Sequence, residues 1–341
     1  MRIIIDAMGG DNAPQEIVKG AVLAHRELGV DITLVGQKER VDACLKNEDC
    51  ADIEVMDARE IVTMEDDPST ATRHKKDSSM TVALELLRDG RGDAVVSAGS
   101  TGALLTGATL IVKRVHGIRR AALAPVLPCG DYGTMLIDCG ANVECSPEYL
   151  LQFAYMGSFY AKKLMGCPNP RVGLLNVGTE DTKGDTLRHE AFALLKKAAG
   201  EGRINFVGNV EGTGVYDNKA EVIVTDGFSG NIFLKTTEGA AKYMMGMLKG
   251  VFYKSLKNKL AAAAVKGNLL EMKKSLDFNE VGGTALLGIS KPVIKAHGSS
   301  KATAIRNAAG QAVTFAQSGI IGDIISNIDA MKFFEEAGAE K

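Results

Sequence analysis

Short apolar runs, each ending in a polar or glycine-rich turn and followed by a helical pattern, recur along most of this chain. They restrict its fold more than any other feature. The first is Ile3-Ile4-Ile5 before Asp6. Others run from Asp31 to Val35, Asp93 to Ser97, Ala121 to Val126, Thr134 to Asp138, Arg171 to Leu175, Asn205 to Val207 and Val222 to Thr225. Many are continuous rather than alternating, as strands covered on both faces must be. Helical patterns fill the gaps: Pro14 to Leu28, Lys38 to Leu45, Met80 to Arg88, Pro147 to Met165 and Thr186 to Lys197. Such repeats predict an α/β protein with helices on both faces of a mostly parallel sheet. Beyond about residue 231 the strand signal fades. The carboxyl third reads as helices laid on a completed sheet, with Val293 and Ile294 as a short strand and a helical tail from Asp323 to Glu336. The 341 residues show no low-complexity linker, so the expectation is a single domain over 1–341, long enough for two lobes.

The formal net charge is -2, which gives no global attraction to nucleic acid. The six cysteines include no CxxC pair and no histidine at finger spacing. They read as buried thiols, and no metal is expected. The amino terminus reads as a strand rather than a signal peptide, and no apolar run reaches about 18 residues. The expected location is cytoplasmic.

Ligands of open α/β sheets bind beyond the carboxyl ends of strands, and five such loops are candidates. Gly9, Gly10 and Asp11 lie in the turn after the first strand, which is either a simple turn or one presenting amides and a carboxylate to substrate. Ser100 and Thr101, in SAGSTG, supply hydroxyls and amides at a helix start. The loop is neither a Walker motif nor a GxGxxG fingerprint. Asp138-Cys-Gly-Ala-Asn142 offers a carboxylate, an amide and Cys139, a nucleophile only if a base stands near it in space. The polar loop Asn176 to Asp185 holds Thr179, Lys183 and Asp185. Lys183 is its one cation, either ion-paired in solvent or holding phosphate or a developing oxyanion. Asp226, Ser229 and Asn231 open the long helix that follows Val222 to Thr225. His297 sits late, in a Gly/Ser loop, and a lone histidine of this kind is structural or catalytic. Arg73, Lys75 and Lys76 form a basic cluster, either a solvated face or a dock for an acidic carrier.

From Tyr243 to Leu270, apolar residues at three- and four-residue spacing interleave with Lys249, Lys254, Lys257 and Lys259. This reads as a projecting amphipathic helical hairpin over 243–270. It is a dimer interface, a core face or a surface resting on anionic lipid.

The phrases IDAMGGDNAP from Ile5, RHKKDSSM from Arg73, SAGSTGALL from Ser97, IDCGAN from Ile137, LLNVGTEDTKGD from Leu174, VTDGFSGN from Val224 and EVGGTALLG from Glu280 occur in order along the chain. Together they resemble the bacterial phosphate acyltransferases, the acyl-carrier-protein:phosphate transacylases of phospholipid synthesis. The resemblance implies a three-layer α/β/α fold similar to phosphotransacetylases and, more distantly, to isocitrate dehydrogenase-like enzymes. It implies a homodimer, peripheral membrane association and no cofactor. It also implies reversible transfer of a long-chain acyl group between acyl carrier protein and inorganic phosphate. The acyl phosphate would feed a membrane glycerol-3-phosphate acyltransferase. Phosphate is itself a competent nucleophile, so the expected catalytic set is Lys183, Asn231, His297 and Asp185, with Lys183 and Asn231 meeting in one hollow. Gly9, Gly10, Asp11, Ser100, Thr101, Asn142, Thr179, Asp226 and Ser229 are the expected substrate contacts. Two rivals stay open: a nicotinamide-dependent dehydrogenase of related fold, and a non-catalytic carrier-protein or membrane scaffold.

Overall fold

A computed structural model describes residues 1–50, 52–275 and 282–332. The strands are β1 (Arg2–Asp6), β2 (Asp31–Gly36), β3 (Glu54–Asp57), β4 (Ala94–Ser97), β5 (Ala122–Ala124), β6 (Val126–Leu127), β7 (Thr134–Ile137), β8 (Arg171–Leu175), β9 (Asn205–Val210), β10 (Val222–Val224), β11 (Thr284–Leu287) and β12 (Val293–Lys295). The helices are α1 (Gln15–Leu28), α2 (Lys38–Asn47), α3 (Ala71–His74), α4 (Ser79–Arg88), α5 (Thr101–Gly107), α6 (Pro147–Lys163), α7 (Thr186–Gly200), α8 (Gly227–Tyr253), α9 (Leu256–Ala264), α10 (Lys266–Ser275), α11 (Ala302–Gln317) and α12 (Ile320–Ser326).

The strands form two sheets, ordered β3-β2-β1-β4-β12-β11-β5 and β6-β7-β10-β8-β9. Pairing is parallel except at β12–β11, β11–β5 and β6–β7. Both faces of the larger sheet are covered. Ile3 and Ile5 join one apolar cluster with residues of α1 and α11, whereas Ile4 joins another with residues of α4 and α5. All three isoleucines are fully buried, which is why the run needs no polar alternation. Gly20 lets α1 approach α11, since a Cβ there would lie 2.5 Å from Ile305 Cβ. Pro125 has no N–H to continue the ladder and separates β5 from β6, so the chain passes there from one sheet into the other. Leu136 N–H donates to Pro125 O at 2.9 Å and Cys139 N–H to Leu123 O at 3.0 Å, tying the sheets together.

The carboxyl third departs from the expectation of an already complete sheet. β12 pairs with β4 in parallel, and β11 lies between β12 and β5. The late chain therefore completes the larger sheet. Lone β11 is short and sits between Gly283 and Gly288, which hides it in the sequence. The long helix runs unbroken through Gly239, Gly246 and Gly250 and stops instead before Ser255, which caps α9 by accepting the Asn258 N–H at 3.2 Å. Glu280 and Val281 of the EVGGTALLG phrase and residues 333–336 of the expected tail helix lie outside the described residues; of that tail only 323–326, the end of α12, are helical, and 327–332 form turns.

Candidate active site

Three of the expected residues line one hollow of about 320 Å³: Thr101 at the start of α5, Asn231 in the second turn of α8, and His297 beyond β12. Cys139 and Gly140, from the loop after β7, form part of its wall. Gly140 has φ +99, a backbone conformation that favours glycine, and packs against the Asn231 side chain.

The hollow also holds residues that the sequence reading passed over. Lys295 is only 9% exposed. Its ammonium donates to the Ala98 and Ala296 carbonyls. Burial pulls its pKa down to about 8, against the opposing pull of Asp6. Asp6 is itself fully buried, and its pKa is raised by desolvation despite hydrogen bonds that include Ser97 Oγ at 2.6 Å. Lys235 and Glu238, an ion pair at 2.9 Å, lie at the same hollow. Ser300 is 3% exposed, lines the hollow, and its Oγ has no hydrogen-bond partner. A buried hydroxyl left unpaired costs free energy that a bound acceptor would recover.

His297 Nδ1 accepts the Ser299 N–H at 3.2 Å, which leaves the proton of the neutral ring on Nε2. Burial, then nearby Lys235, lower its pKa, with Glu238 opposing. At neutral pH it is therefore a neutral N–H donor rather than an imidazolium. Cys139 is buried, and burial with Asp138 beside it pushes its thiol well above the usual value. A thiolate is disfavoured there, which argues against covalent catalysis.

Gly9, Gly10, Asp11, Ser100 and Asn142 do not line the hollow but sit in or against the loops that do. Gly9 and Gly10 make close approaches: a Cβ on Gly9 would meet Asp6 Oδ2 and Gly99 N at 2.6 Å, and Gly10 has φ +100. Asp11 N–H donates to Gly298 O at 2.8 Å, fastening the first loop to the one that bears His297. Asn12 reinforces this by donating to Ser299 O and Ser300 O. Ser100 is buried at the start of α5 without a side-chain cap bond. Asn142 is spent internally, its Nδ2 on Ala121 O at 2.8 Å and on Asp138 Oδ2 at 2.9 Å. Asp138 accepts N–H groups from Leu123, Ala141 and Asn142, and burial raises its pKa to about 6.

The fourth loop lies elsewhere. Lys183 and Thr179 are exposed, and neither lines the hollow of Asn231. Asp185 and Ser229 instead line a separate groove of about 620 Å³ with Ile232 and Phe233. The first turns of α8 divide the two spaces, with Asn231, Leu234 and Lys235 toward one and Ser229, Ile232 and Phe233 toward the other. Arg188 organises the groove. It pairs with Asp185 at 3.0 Å, with Asp226, and with Ser229 Oγ at 3.0 Å. Asp226 in turn caps α8 by accepting the Ser229 N–H at 2.8 Å, and Asp185 caps α7 by accepting the Arg188 N–H at 2.9 Å. Arg188 reads as an ordinary helical residue in sequence. Lys295 did carry a signal: a cation at the end of an otherwise apolar strand.

A family model described as "Fatty acid synthesis protein" matches residues 1–322. The phosphate acyltransferase of Oceanobacillus iheyensis is 46% identical over 337 residues, covering 98% of this chain and 100% of that one. The phosphate acyltransferase of Geobacillus thermodenitrificans is 48% identical over 331 residues, covering 96% and 99%. Among solved structures, a phosphotransacetylase from Streptococcus pyogenes superposes with TM-score 0.63 at 18% identity, covering 93% of this chain and 94% of its own. EutD phosphotransacetylase from Staphylococcus aureus gives 0.59 at 17%, with the same coverage. These last two likenesses bear on the fold, which is the expected α/β arrangement shared with phosphotransacetylases. Identity at this level over nearly the whole length shows that the chain belongs to the phosphate acyltransferase family of enzymes.

Proposed function

We propose that the 320 Å³ hollow transfers a long-chain acyl group reversibly between an acyl-carrier-protein thioester and inorganic phosphate, giving an acyl phosphate for phospholipid synthesis. The observation that carries this reading is a buried lysine, Lys295, beside an amide, a neutral imidazole and an unpartnered hydroxyl in one cavity. Orthophosphate needs no protein nucleophile. It needs charge neutralisation, and its target needs polarisation. Lys295 and Lys235 supply cations, while the hydroxyls of Thr101 and Ser300 supply hydrogen bonds to phosphate. Asn231 Nδ2 and His297 Nε2–H are donors for the thioester oxygen as it becomes negative. When the tetrahedral adduct collapses, the C–S bond breaks and the thiolate takes a proton. Lys295, with its lowered pKa, is better matched to that transfer than neutral His297.

Lys183 is exposed and does not line the hollow of Asn231, so its assignment moves from the reacting phosphate to the anionic prosthetic arm of the carrier. The groove lined by its neighbours Gly184 and Asp185 together with Arg188, Ile232 and Phe233 suits the passage of that arm.

The membrane reading rests on α8 and α9. Among the described residues of α8, only Gly227 and Gly230 are buried. Met244, Met247, Val251, Leu256 and Leu260 are exposed by half or more of their surface, beside Lys249, Lys254, Lys257 and Lys259. No described helix is long and apolar enough to cross a membrane. A basic amphipathic helix of this kind rests on anionic lipid, and a second copy of the chain covers the remaining apolar surface in the proposed homodimer. The acyl phosphate would then be released beside the membrane glycerol-3-phosphate acyltransferase that consumes it.

The test is turnover of acyl-carrier thioesters of several chain lengths with orthophosphate, with acyl phosphate trapped by hydroxylamine. Phosphate-dependent hydroxamate supports the reading. Its absence at every chain length, with folded protein, refutes it.

A further inference from the structure

Cations gather a second time at the opposite end of β5 and β11. Arg114, His116, Arg119, Arg120 and Lys332 line a cleft of about 560 Å³, in which Glu148 is the one lining carboxylate among the described residues. Among the described residues the one cation Glu148 reaches is Arg119, at 4.0 Å, and Lys332 is paired with Asp329 at 2.6 Å. Among the described residues no carboxylate pairs with Arg114 or Arg120.

The frame under these side chains is fixed. Gln152 is 2% exposed; its Oε1 accepts the Arg119 N–H at 2.8 Å and its Nε2 donates to Gly117 O at 3.0 Å. Val115 N–H donates to Gly288 O and Ser290 N–H to Lys113 O, each at 2.9 Å. The Arg120 guanidinium lies 5.2 Å from the Tyr149 ring centroid. Like charges held together on a rigid frame repel one another, and an anion relieves that repulsion. Guanidinium forks match phosphate oxygens two at a time. A cleft of this volume suits a small molecule rather than a protein face.

We propose that this cleft is an anion site, separate from the transfer hollow, that takes a small molecule bearing a phosphate or diphosphate group. Arg114, Arg119 and Arg120 grip the phosphoryl oxygens. The cleft is distinct because β5 runs between the two spaces: Arg120 lies two residues before its start, whereas Leu123 and Pro125 line the hollow.

The experiment is calorimetric titration of inorganic pyrophosphate, at constant ionic strength, into the full chain and two variants. Lys295→Met removes the buried cation of the hollow. The triple variant Arg114→Gln, Arg119→Gln, Arg120→Gln empties the cleft of guanidinium. Wild type and Lys295→Met should share a site of equal affinity, and the triple variant should bind at least tenfold more weakly while retaining acyl transfer. Hydrogen exchange supplies a readout that does not depend on the triple variant folding: pyrophosphate should slow exchange in residues 114–120 of the wild type. Equal affinity in a folded triple variant, loss of all binding in Lys295→Met, or no added protection in 114–120 would each overturn the proposal.

Discussion

Lys295 and Asn231 line the same hollow although they belong to different sheets. Lys295 ends β12 of the seven-stranded sheet, and Asn231 lies in α8, directly after β10 of the five-stranded one. The site is therefore complete only when the two sheets dock, and it also needs α8 seated against the loop after β7.

Gly230 permits that seating, a close approach within the five-stranded half. A Cβ there would collide with the Asp138 carbonyl oxygen. Gly230→Ala is expected to lower stability by about 1–3 kcal/mol and to depress turnover further by displacing Asn231. Thermal unfolding and steady-state rates check both parts.

Acidity enters through Lys295, whose pKa in the folded chain is about 8 against an ordinary 10.5. Asp6, Asp11 and Lys235 are the charged groups that act on it. If its ammonium serves phosphate and the departing thiolate, kcat/KM should fall as pH rises through about 8. The stability effect has the opposite sense. Between these two values the unfolded chain binds more protons than the folded one, so this group's contribution to stability grows with pH across that window. The whole effect is about 3 kcal/mol. Lys295→Met should flatten both profiles, as read by rate and denaturant titration against pH.

Ser229 and Asn231 show what the sequence could and could not reveal. Residues two apart on a helix do not share a face. Their adjacency in VTDGFSGN suggested one site, yet α8 turns them toward two separate spaces. The layered fold was legible because Ile3, Ile4 and Ile5 are buried on both faces of β1. β3 was not legible: it is an edge strand whose ends, Glu54 and Asp57, are exposed. The burial of Lys295 was not legible because groups it interacts with, the Ala98 carbonyl after β4 and the Asp6 charge, are remote in sequence.

Lys183→Ala separates the two spaces kinetically. A contact to the carrier's anionic arm predicts that KM for the carrier thioester rises several-fold while KM for orthophosphate holds. An equal rise in both would return Lys183 to the reacting phosphate.

Leu256 and Leu260 are 75% and 66% exposed. Replacing both with Glu should reduce co-sedimentation with anionic vesicles by tenfold or more, since apolar burial is lost and charge repulsion is added. Circular dichroism should be unchanged. Undiminished sedimentation of a folded variant would end the lipid-surface reading.

The measurement closest to the central claim compares phosphate-dependent acyl transfer by wild type and Lys295→Met at saturating thioester. Loss of a buried cation that meets the transferring group predicts a fall in kcat/KM for orthophosphate of about a hundredfold or more, in a variant at least as heat-stable as the wild type. A folded Lys295→Met enzyme with near-normal kcat/KM would contradict the placing of the reaction in this hollow.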